Sequence, residues 1–196
     1  MVGCGGLGCH VAAHLAMSGI GTLALFDFDT VSESNLNRQF LYAFGDIGKK
    51  KVFLAADRLR AVAPGTEIRC FDSRVVSSED LSPAADADAV FLAVDNNAAR
   101  AAVQRFCAER GLPLINGGVN GFFGTAYLYI PGRTPDLGAA GMLTAENAQT
   151  RSVSSTVGLI GALEAHLGLR LLTGDVSGAG ILHVFDHGRI ELLPIR

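Results

Sequence analysis

Short apolar runs alternate with longer stretches of helical spacing along the first 116 residues of the chain. The predicted strands are 22–26, 67–71, 89–94 and 112–115. The predicted helices are 7–18, 48–62 and 98–110. Each helix is followed by a residue that favours a break, namely Gly19, Pro64 and Gly111. Strands and helices in alternation predict a Rossmann-like, doubly wound α/β fold with a mainly parallel sheet.

The pattern changes after Asn116. The elements predicted there are a glycine-rich loop, a strand at 125–130, a turn at 131–132, a crossover loop or mobile segment at 138–156, a helix at 157–172 and a closing hairpin of strands 181–185 and 190–193. They indicate an antiparallel extension of the sheet. We therefore expect 1–196 to form a single domain, with a Rossmann-like half at 1–116 and a partner-binding extension at 117–196.

The composition is that of one globular domain. Of the 196 residues, 49% are hydrophobic and 18% are charged, which is enough apolar material for a large core. The net charge is -3 and no long basic run is present, which argues against non-specific binding to nucleic acid or to an anionic membrane. Neither an apolar stretch of membrane-spanning length nor a signal-peptide pattern occurs, so we expect a cytoplasmic protein.

A glycine motif opens the chain. Gly3, Gly5 and Gly8 have the G-x-G-x-x-G spacing and lead into the first predicted helix, where backbone N–H groups and the helix dipole favour a phosphate. Asp27 lies nineteen residues after Gly8 at the end of a strand, where this fingerprint expects an acid on the ribose hydroxyls. The two features suit NAD, FAD or ATP equally, and a purely structural glycine turn remains the alternative.

Polar residues follow two of the strands at their carboxyl ends, where open α/β sheets bind their ligands. A dense polar run occupies 27–39, and three lysines follow at 49–51 near a predicted helix start, where an anion nearby would offset their repulsion with the helix dipole. Asp95 and Asn96 follow the strand at 89–94. Asp95 is a candidate Mg²⁺ ligand between phosphates, whereas the alternative is that either residue only caps the next helix.

These blocks together resemble the ThiF/MoeB/HesA adenylyltransferases, bacterial relatives of the ubiquitin-activating enzymes. The likeness is carried by the glycine turn at 3–8, DFDTV at 27–31, SNLNRQ at 34–39 with Lys51 beyond it, Asp95 with Asn96, and more weakly by 130–135 and 157–165. It covers nearly the whole chain in the family's order. The SNLNRQ block is specific, whereas the glycine turn alone is not.

The resemblance implies that the C-terminal glycine carboxylate of a small ubiquitin-like sulfur-carrier protein attacks the α-phosphate of Mg-ATP. The residues that it assigns to catalysis are Arg38 and Lys51, on the phosphates, and Asp95, on Mg²⁺. The nucleotide-binding residues that it implies are Gly3, Gly5, Gly6, Gly8, Asp27, Ser34, Asn35, Asn37, Arg38, Lys51, Asp95 and Asn96. A homodimer is expected from the same resemblance.

The sequence departs from the family in three places. Many members carry two C-x-x-C pairs for structural zinc, but the first position reads DLGA at 136–139 and the chain ends at Arg196, so we expect no zinc. The crossover segment 149–155 lacks the cysteine that some members use for sulfur transfer. Only Met1 and Val2 precede the glycine turn, so we expect the first strand to be almost absent and the loss of a family arginine there to weaken catalysis.

Two further hypotheses stay open at this point. The first is a Rossmann oxidoreductase that binds NAD or FAD, which accounts for the turn and Asp27 but not for the run from Asn35 to Lys51. The second is a catalytically weak interaction module that keeps the fold in order to bind a ubiquitin-like partner. An enzyme that activates a carboxylate on tRNA is disfavoured by the lack of a basic run.

Overall fold

The computed structural model describes residues 1–143 and 151–195. The helices of this part of the chain are α1 (Gly6–Met17), α2 (Lys51–Val62), α3 (Asn97–Arg110) and α4 (Ser154–Leu172), with short 3-10 helices at Glu33–Asn35, Phe44–Asp46 and Ser78–Ala84. Its strands are β1 (Thr22–Phe26), β2 (Glu67–Phe71), β3 (Val90–Leu92), β4 (Leu114–Asn120), β5 (Phe123–Tyr129), β6 (Ile181–Asp186) and β7 (Arg189–Pro194). None of the helices in 1–143 and 151–195 is both long and apolar enough to cross a membrane.

Val2 joins two groups of strands into one sheet. β1 pairs with β2, while β3 to β7 pair in chain order. Val2 forms parallel bridges to Phe26 of β1 and to Leu92 of β3. Its N–H donates to the Phe91 carbonyl at 2.8 Å, and its carbonyl accepts from the Ala93 N–H at 2.8 Å. The Met1 carbonyl accepts from the Phe26 N–H at 3.0 Å, and the Gly3 N–H donates to the Phe26 carbonyl at 2.8 Å. Met1, Val2 and Gly3 therefore hold the position of the central strand that was expected to be almost absent.

The sheet is mixed, with a parallel N-terminal half and an antiparallel C-terminal half. β1–β2 and β3–β4 are parallel pairs, whereas β4–β5, β5–β6 and β6–β7 are antiparallel. This confirms the Rossmann-like fold with an antiparallel extension. The predicted loop after Asn116 is wrong, because β4 continues through Gly117 and Gly118 to Asn120. A Cβ at Gly117 would overlap the Glu164 carboxyl of α4, so this glycine serves close packing within a strand.

The starts of all four predicted helices change. α2 begins at Lys51 and not at Gly48, because Gly48 has a φ of +86° and Lys50 is extended, in an antiparallel bridge with Thr30. α4 begins at Ser154, so the end of the predicted crossover loop is helical. α1 and α3 begin one residue before their predicted starts. The part of the loop prediction at 144–150 lies outside the described residues.

The two faces of the sheet carry separate apolar clusters. Side chains of α1, α2 and α4 pack on one face, including Leu15, Leu59 and Leu167. α3 packs on the other face through Val103 and Phe106. Adjacent strand residues alternate between the two clusters, as a pleated sheet covered on both sides requires. This three-layer core leaves the carboxyl ends of the parallel strands open at one edge.

Candidate functional site

The glycine turn follows Val2 and is shaped by close backbone contacts. Gly3 has a φ of +96°, and a Cβ there would overlap the Ala93 carbonyl. A Cβ at Gly8 would overlap the Gly3 carbonyl. Gly5 is the N-cap of α1 and supplies no side-chain cap, so the first N–H groups of the helix are left for a ligand. Gly3, Gly5 and Gly6 line the adjacent cavity, while Gly8 fixes the turn from behind.

Asp27 is a buried carboxylate that supports the turn. Its Oδ2 accepts from the Cys4 N–H at 2.6 Å, and its Oδ1 accepts from the Asp29 N–H at 2.8 Å. Burial raises the pKa of Asp27, while these two backbone hydrogen bonds and the Lys51 charge lower it. Each carboxylate oxygen can accept two hydrogen bonds, so Asp27 retains acceptor capacity for a sugar hydroxyl in the cavity that it lines.

Of the three consecutive lysines, Lys51 lines the cavity. Its Nζ lies 3.1 Å from Asp29 Oδ2, and its side chain is 6% exposed. The Lys50 Nζ lies 2.8 Å from Asp72 Oδ1, and the Lys49 Nζ lies 3.4 Å from Asp46 Oδ1. Lys49 and Lys50 therefore bind carboxylates outside the lining, and Lys51 is the buried cation at the start of α2.

Arg38 is oriented by its own loop. Its Nη1 donates to the Ser34 carbonyl at 3.0 Å and to Asn37 Oδ1 at 2.9 Å. These contacts use Nη1, so Nε and Nη2 retain donors for an anion. Asn35 lines the cavity beside Arg38, and its Oδ1 accepts from the Ser32 N–H at 3.2 Å. The structure places Ser34 and Asn37 outside the cavity lining, where they hold Arg38.

Asp95 and Asn96 follow β3 and begin α3. Asn96 is the N-cap of α3, because its Oδ1 accepts from the Ala99 N–H at 2.8 Å. Asp95 is exposed, and both residues line the cavity. The capping alternative therefore applies to Asn96, which leaves the Asp95 carboxylate free of that role.

A cavity of about 680 Å³ brings these elements together at the open edge of the sheet. The predicted residues that line it are Gly3, Gly5, Gly6, Asp27, Asn35, Arg38, Lys51, Asp95 and Asn96. Gly8, Ser34 and Asn37 are absent from the lining formed by 1–143 and 151–195. The volume falls within the range of sites for small molecules and cofactors.

Several polar lining residues were not predicted as site residues. Asp29 and Gln39 belong to the polar run at 27–39, and the others are Ser73, Arg74, Arg100, Asn120, Thr125 and Ser152. Arg74 follows β2, and its guanidinium lies 4.9 Å from the centroid of the Phe28 ring. Asn120 ends β4. The carboxyl-end rule that singled out Asp27 and Asp95 would have found Arg74 had it been applied to β2. It would have missed Asn120, because the strand was predicted to end at 115.

The donor set suits a polyphosphate with a divalent cation. Within the described residues, the cationic side chains of the lining are Arg38, Lys51, Arg74 and Arg100, and its carboxylates are Asp27, Asp29 and Asp95. Mg²⁺ takes one or two carboxylates together with phosphate oxygens and water, which the exposed Asp95 allows. The cations, the turn and the start of α1 favour negative charge in the same space.

Two relatives of this chain are adenylyltransferases by name. A family model described as ThiF family matches residues 1–193. The chain is 33% identical over 191 residues to the sulfur carrier protein ThiS adenylyltransferase of Escherichia coli (strain K12), which covers 95% of this chain and 76% of that protein. It is 34% identical over 180 residues to the molybdopterin-synthase adenylyltransferase of the same strain, with coverages of 89% and 72%.

Solved structures share the fold. Escherichia coli MccB in complex with ATP superposes with a TM-score of 0.84 at 23% identity, and MccB with MccA-N7isoASN superposes with a TM-score of 0.86 at 22% identity. Each match covers 97% of this chain. The chain spans 60% and 62% of the two MccB chains, respectively. This similarity supports the fold described above.

Proposed function

Because the chain belongs to the ThiF family, we propose that it catalyses the ATP-dependent adenylation of the C-terminal glycine carboxylate of a small ubiquitin-like sulfur-carrier protein. The observation that carries the proposal is the single cavity in which the glycine turn, Asp27, Arg38, Lys51 and Asp95 meet. A dinucleotide oxidoreductase would account for the turn and Asp27 but would leave Asp95 and the run from Asn35 to Lys51 unexplained.

ATP would be held at both ends. The N–H groups at the start of α1 and the side chains of Arg38 and Lys51 bind the phosphates. Asp27 accepts from the ribose hydroxyls while it holds the turn through Cys4. Asn35 orders the loop that carries Arg38.

The reaction needs cations more than it needs a base. An oxygen of the terminal glycine carboxylate forms a bond to the α-phosphorus, the bond from phosphorus to the bridging oxygen breaks, and pyrophosphate leaves with the bonding electrons. The attacking carboxylate is already ionised, but the polyphosphate repels it. Arg38 and Lys51 offset this repulsion and stabilise the charge of the transition state.

Asp95 is the residue that would hold Mg²⁺. The ion, when bound, neutralises phosphate charge and stabilises the leaving pyrophosphate. Asp95 is suited to this task because it is exposed at the end of β3 and the neighbouring Asn96 already caps the helix. Its carboxylate is therefore available without the loss of a helix cap.

The carrier would dock on the antiparallel half. The turn between β4 and β5 and the last strand expose large apolar side chains, namely Phe122, Phe123, Ile190, Leu192 and Leu193. The register places Ile190 and Leu192 on one face of the sheet and Phe123 and Leu193 on the other, and exposed apolar residues gathered at one end of a sheet mark an interaction surface. The carrier's flexible C-terminus would then reach the cavity past Phe123 and Asn120, which line it.

The finer properties follow from the family resemblance. We propose a cytoplasmic homodimer that needs ATP and Mg²⁺ and lacks structural zinc, because DLGA at 136–139 stands where relatives carry a first C-x-x-C pair. Light scattering of the purified protein tests the dimer. Metal analysis tests the zinc proposal, and a stoichiometric zinc signal would contradict it.

ATP–pyrophosphate exchange in the presence of candidate carriers tests the function. Exchange should require a carrier with a free C-terminal glycine, and Asp95→Asn should abolish it without a change in Tm. Asp88→Asn is the matched control, because Asp88 lies before β3 at the opposite end of the strand. Carrier binding without exchange would indicate an interaction module instead, and normal exchange by Asp95→Asn would refute the magnesium role.

A further inference from the structure

A buried polar cluster lies behind the cavity and involves three elements. Arg100 of α3 is 5% exposed, while Asn116 of β4 and Glu164 of α4 are each 0% exposed. Arg100 also lines the cavity. Neither the catalytic roles proposed above nor the apolar core accounts for these groups.

Arg100 ties the segment before Asp95 to the middle of the sheet. Its Nη1 donates to Asn116 Oδ1 at 2.6 Å, and its Nη2 donates to the Val94 carbonyl at 2.8 Å. Val94 directly precedes Asp95 in the chain. A single guanidinium thus links the end of β3 to β4. A lysine has only one ammonium group and reproduces this double contact poorly.

The cluster is poorly arranged for stability alone. In the described part of the chain, Arg100 Nε, Asn116 Nδ2 and both carboxyl oxygens of Glu164 have no hydrogen-bond partner. Burial lowers the pKa of Arg100, although the charges of Glu164 and Asp95 raise it. Buried charges with incomplete pairing are costly, and well-packed apolar residues are often at least as stable in their place. The presence of Arg100 here points to a task other than stabilising the core.

Two anchors fix Asp95 from opposite sides. The Asn96 side chain caps α3 through the Ala99 N–H on the carboxyl side of Asp95. Arg100 holds the Val94 carbonyl on the amino side. Asp95 itself is exposed, so its own contacts with the protein do little to fix its position.

We propose that Arg100 is a positioning residue for Asp95: by holding the Val94 carbonyl against Asn116, it sets where the Asp95 carboxylate stands in the cavity and so strengthens binding of the magnesium complex of ATP. The role assigned to Asp95 rests on the proposed function. The anchoring of the segment itself does not.

Calorimetric titration of the full chain with ATP, with Mg²⁺ and then with EDTA, tests the first part. Arg100→Lys should weaken Mg-ATP binding about tenfold while changing ATP binding in EDTA less than twofold. Arg105→Lys, on the exposed side of the same helix, is the matched control and should change neither. In an Asp95→Asn background, Arg100→Lys should have no further effect, since coupled residues are not additive.

Hydrogen exchange of the ligand-free protein tests the anchoring. Arg100→Lys should speed hydrogen exchange in the 94–99 segment about tenfold while the strands retain their protection. Asn116→Ala, which removes one partner and keeps the arginine, should act in the same direction.

Unchanged hydrogen exchange in the 94–99 segment overturns the proposal, whatever the titrations with ATP show. Equal losses of affinity with and without Mg²⁺, or additive effects with Asp95→Asn, also overturn it. A wild-type protein that binds no ATP refutes the proposed function, and exchange then decides the anchoring alone.

Discussion

Lys51 illustrates how the fold distinguishes identical neighbours at the scale of single residues. Lys49 and Lys50 pair with Asp46 and Asp72 outside the cavity lining formed by the described residues, whereas Lys51 is buried beside Asp29. The charge pattern predicted a basic group near the start of a helix without ranking its members, and only the family resemblance singled out Lys51. The bridge from Thr30 to Lys50 decides which lysine begins α2, and that contact lies between segments twenty residues apart.

Replacement of Lys51 by alanine should slow adenylation by roughly ten to a few hundred fold, because a hydrogen bond to a charged group contributes about 1.5–3 kcal/mol. The exchange rate with carrier and Mg-ATP is the measurement. Lys50→Ala should stay within about twofold of wild type, since Lys50 bonds to Asp72 outside the cavity lining. Equal losses in the two variants would contradict the role assigned to Lys51.

The predictable part of the site consists of residues that follow a strand along the chain. Asp27 and Asp95 were found in this way, and both line the cavity. Arg100 was not found, because it lies within a helix and its position depends on Asn116 of another element. The hydrophobic pattern of α3 predicts only that one face of the helix is buried. It does not predict that a charged residue lies on that face.

The contact between β4 and α4 shows what the sequence cannot predict at the scale of elements. The glycines after Asn116 have low strand propensity, so a loop was predicted there. In the structure these glycines continue β4, where Gly117 pairs with Ala126 and Gly118 with Thr125 of β5. Gly117 also provides the room for Glu164. In the sequence, a glycine that is needed for close packing cannot be distinguished from a glycine that is needed for a turn.

Gly117→Ala should therefore destabilise the protein by about 1–3 kcal/mol, because the added methyl group overlaps the Glu164 carboxyl and forces α4 to shift. Urea unfolding gives the free energy. Gly65→Ala is the control, since no atom lies within 4 Å of its added Cβ and its φ is not positive. If Gly117→Ala loses no stability, or if only Gly65→Ala does, then α4 accommodates the added methyl group.

The last strand provides a second test at this scale. Leu192 is 56% exposed on β7, and we expect Leu192→Asp to raise the KM for the carrier about tenfold while the affinity for ATP is retained. Val62→Asp is the matched control, because Val62 is 59% exposed at the end of α2, away from the antiparallel half. A carrier KM that is unchanged in Leu192→Asp would place the docking surface elsewhere.

At the scale of the whole molecule, the cavity depends on Val2. Val2 lies between β1 and β3 in the sheet. After Val2 the chain passes through α1 to β1 on one side of Val2, and it later crosses to β3 on the other side. Ligands of open α/β sheets bind in the crevice that such a reversal opens. The residues before Cys4 are too few to show a hydrophobic pattern that would predict this strand position, although the glycine turn indicated where the crevice should lie.

The ligand preference of the intact protein follows from the charges in that crevice. NADH and ATP share the ribose that Asp27 would bind, but the triphosphate carries more negative charge than the pyrophosphate of NADH and can engage Arg38, Lys51 and a magnesium ion at Asp95 together. At a hundred times its Kd, a ligand stabilises the native state by about 2.7 kcal/mol, which for a domain of this size raises Tm by about 5–10 °C. We expect this shift with Mg-ATP, little shift with NADH, and a smaller shift in Asp95→Asn. A shift with NADH as large as that with Mg-ATP would favour the oxidoreductase, because only a site indifferent to the triphosphate could bind both equally.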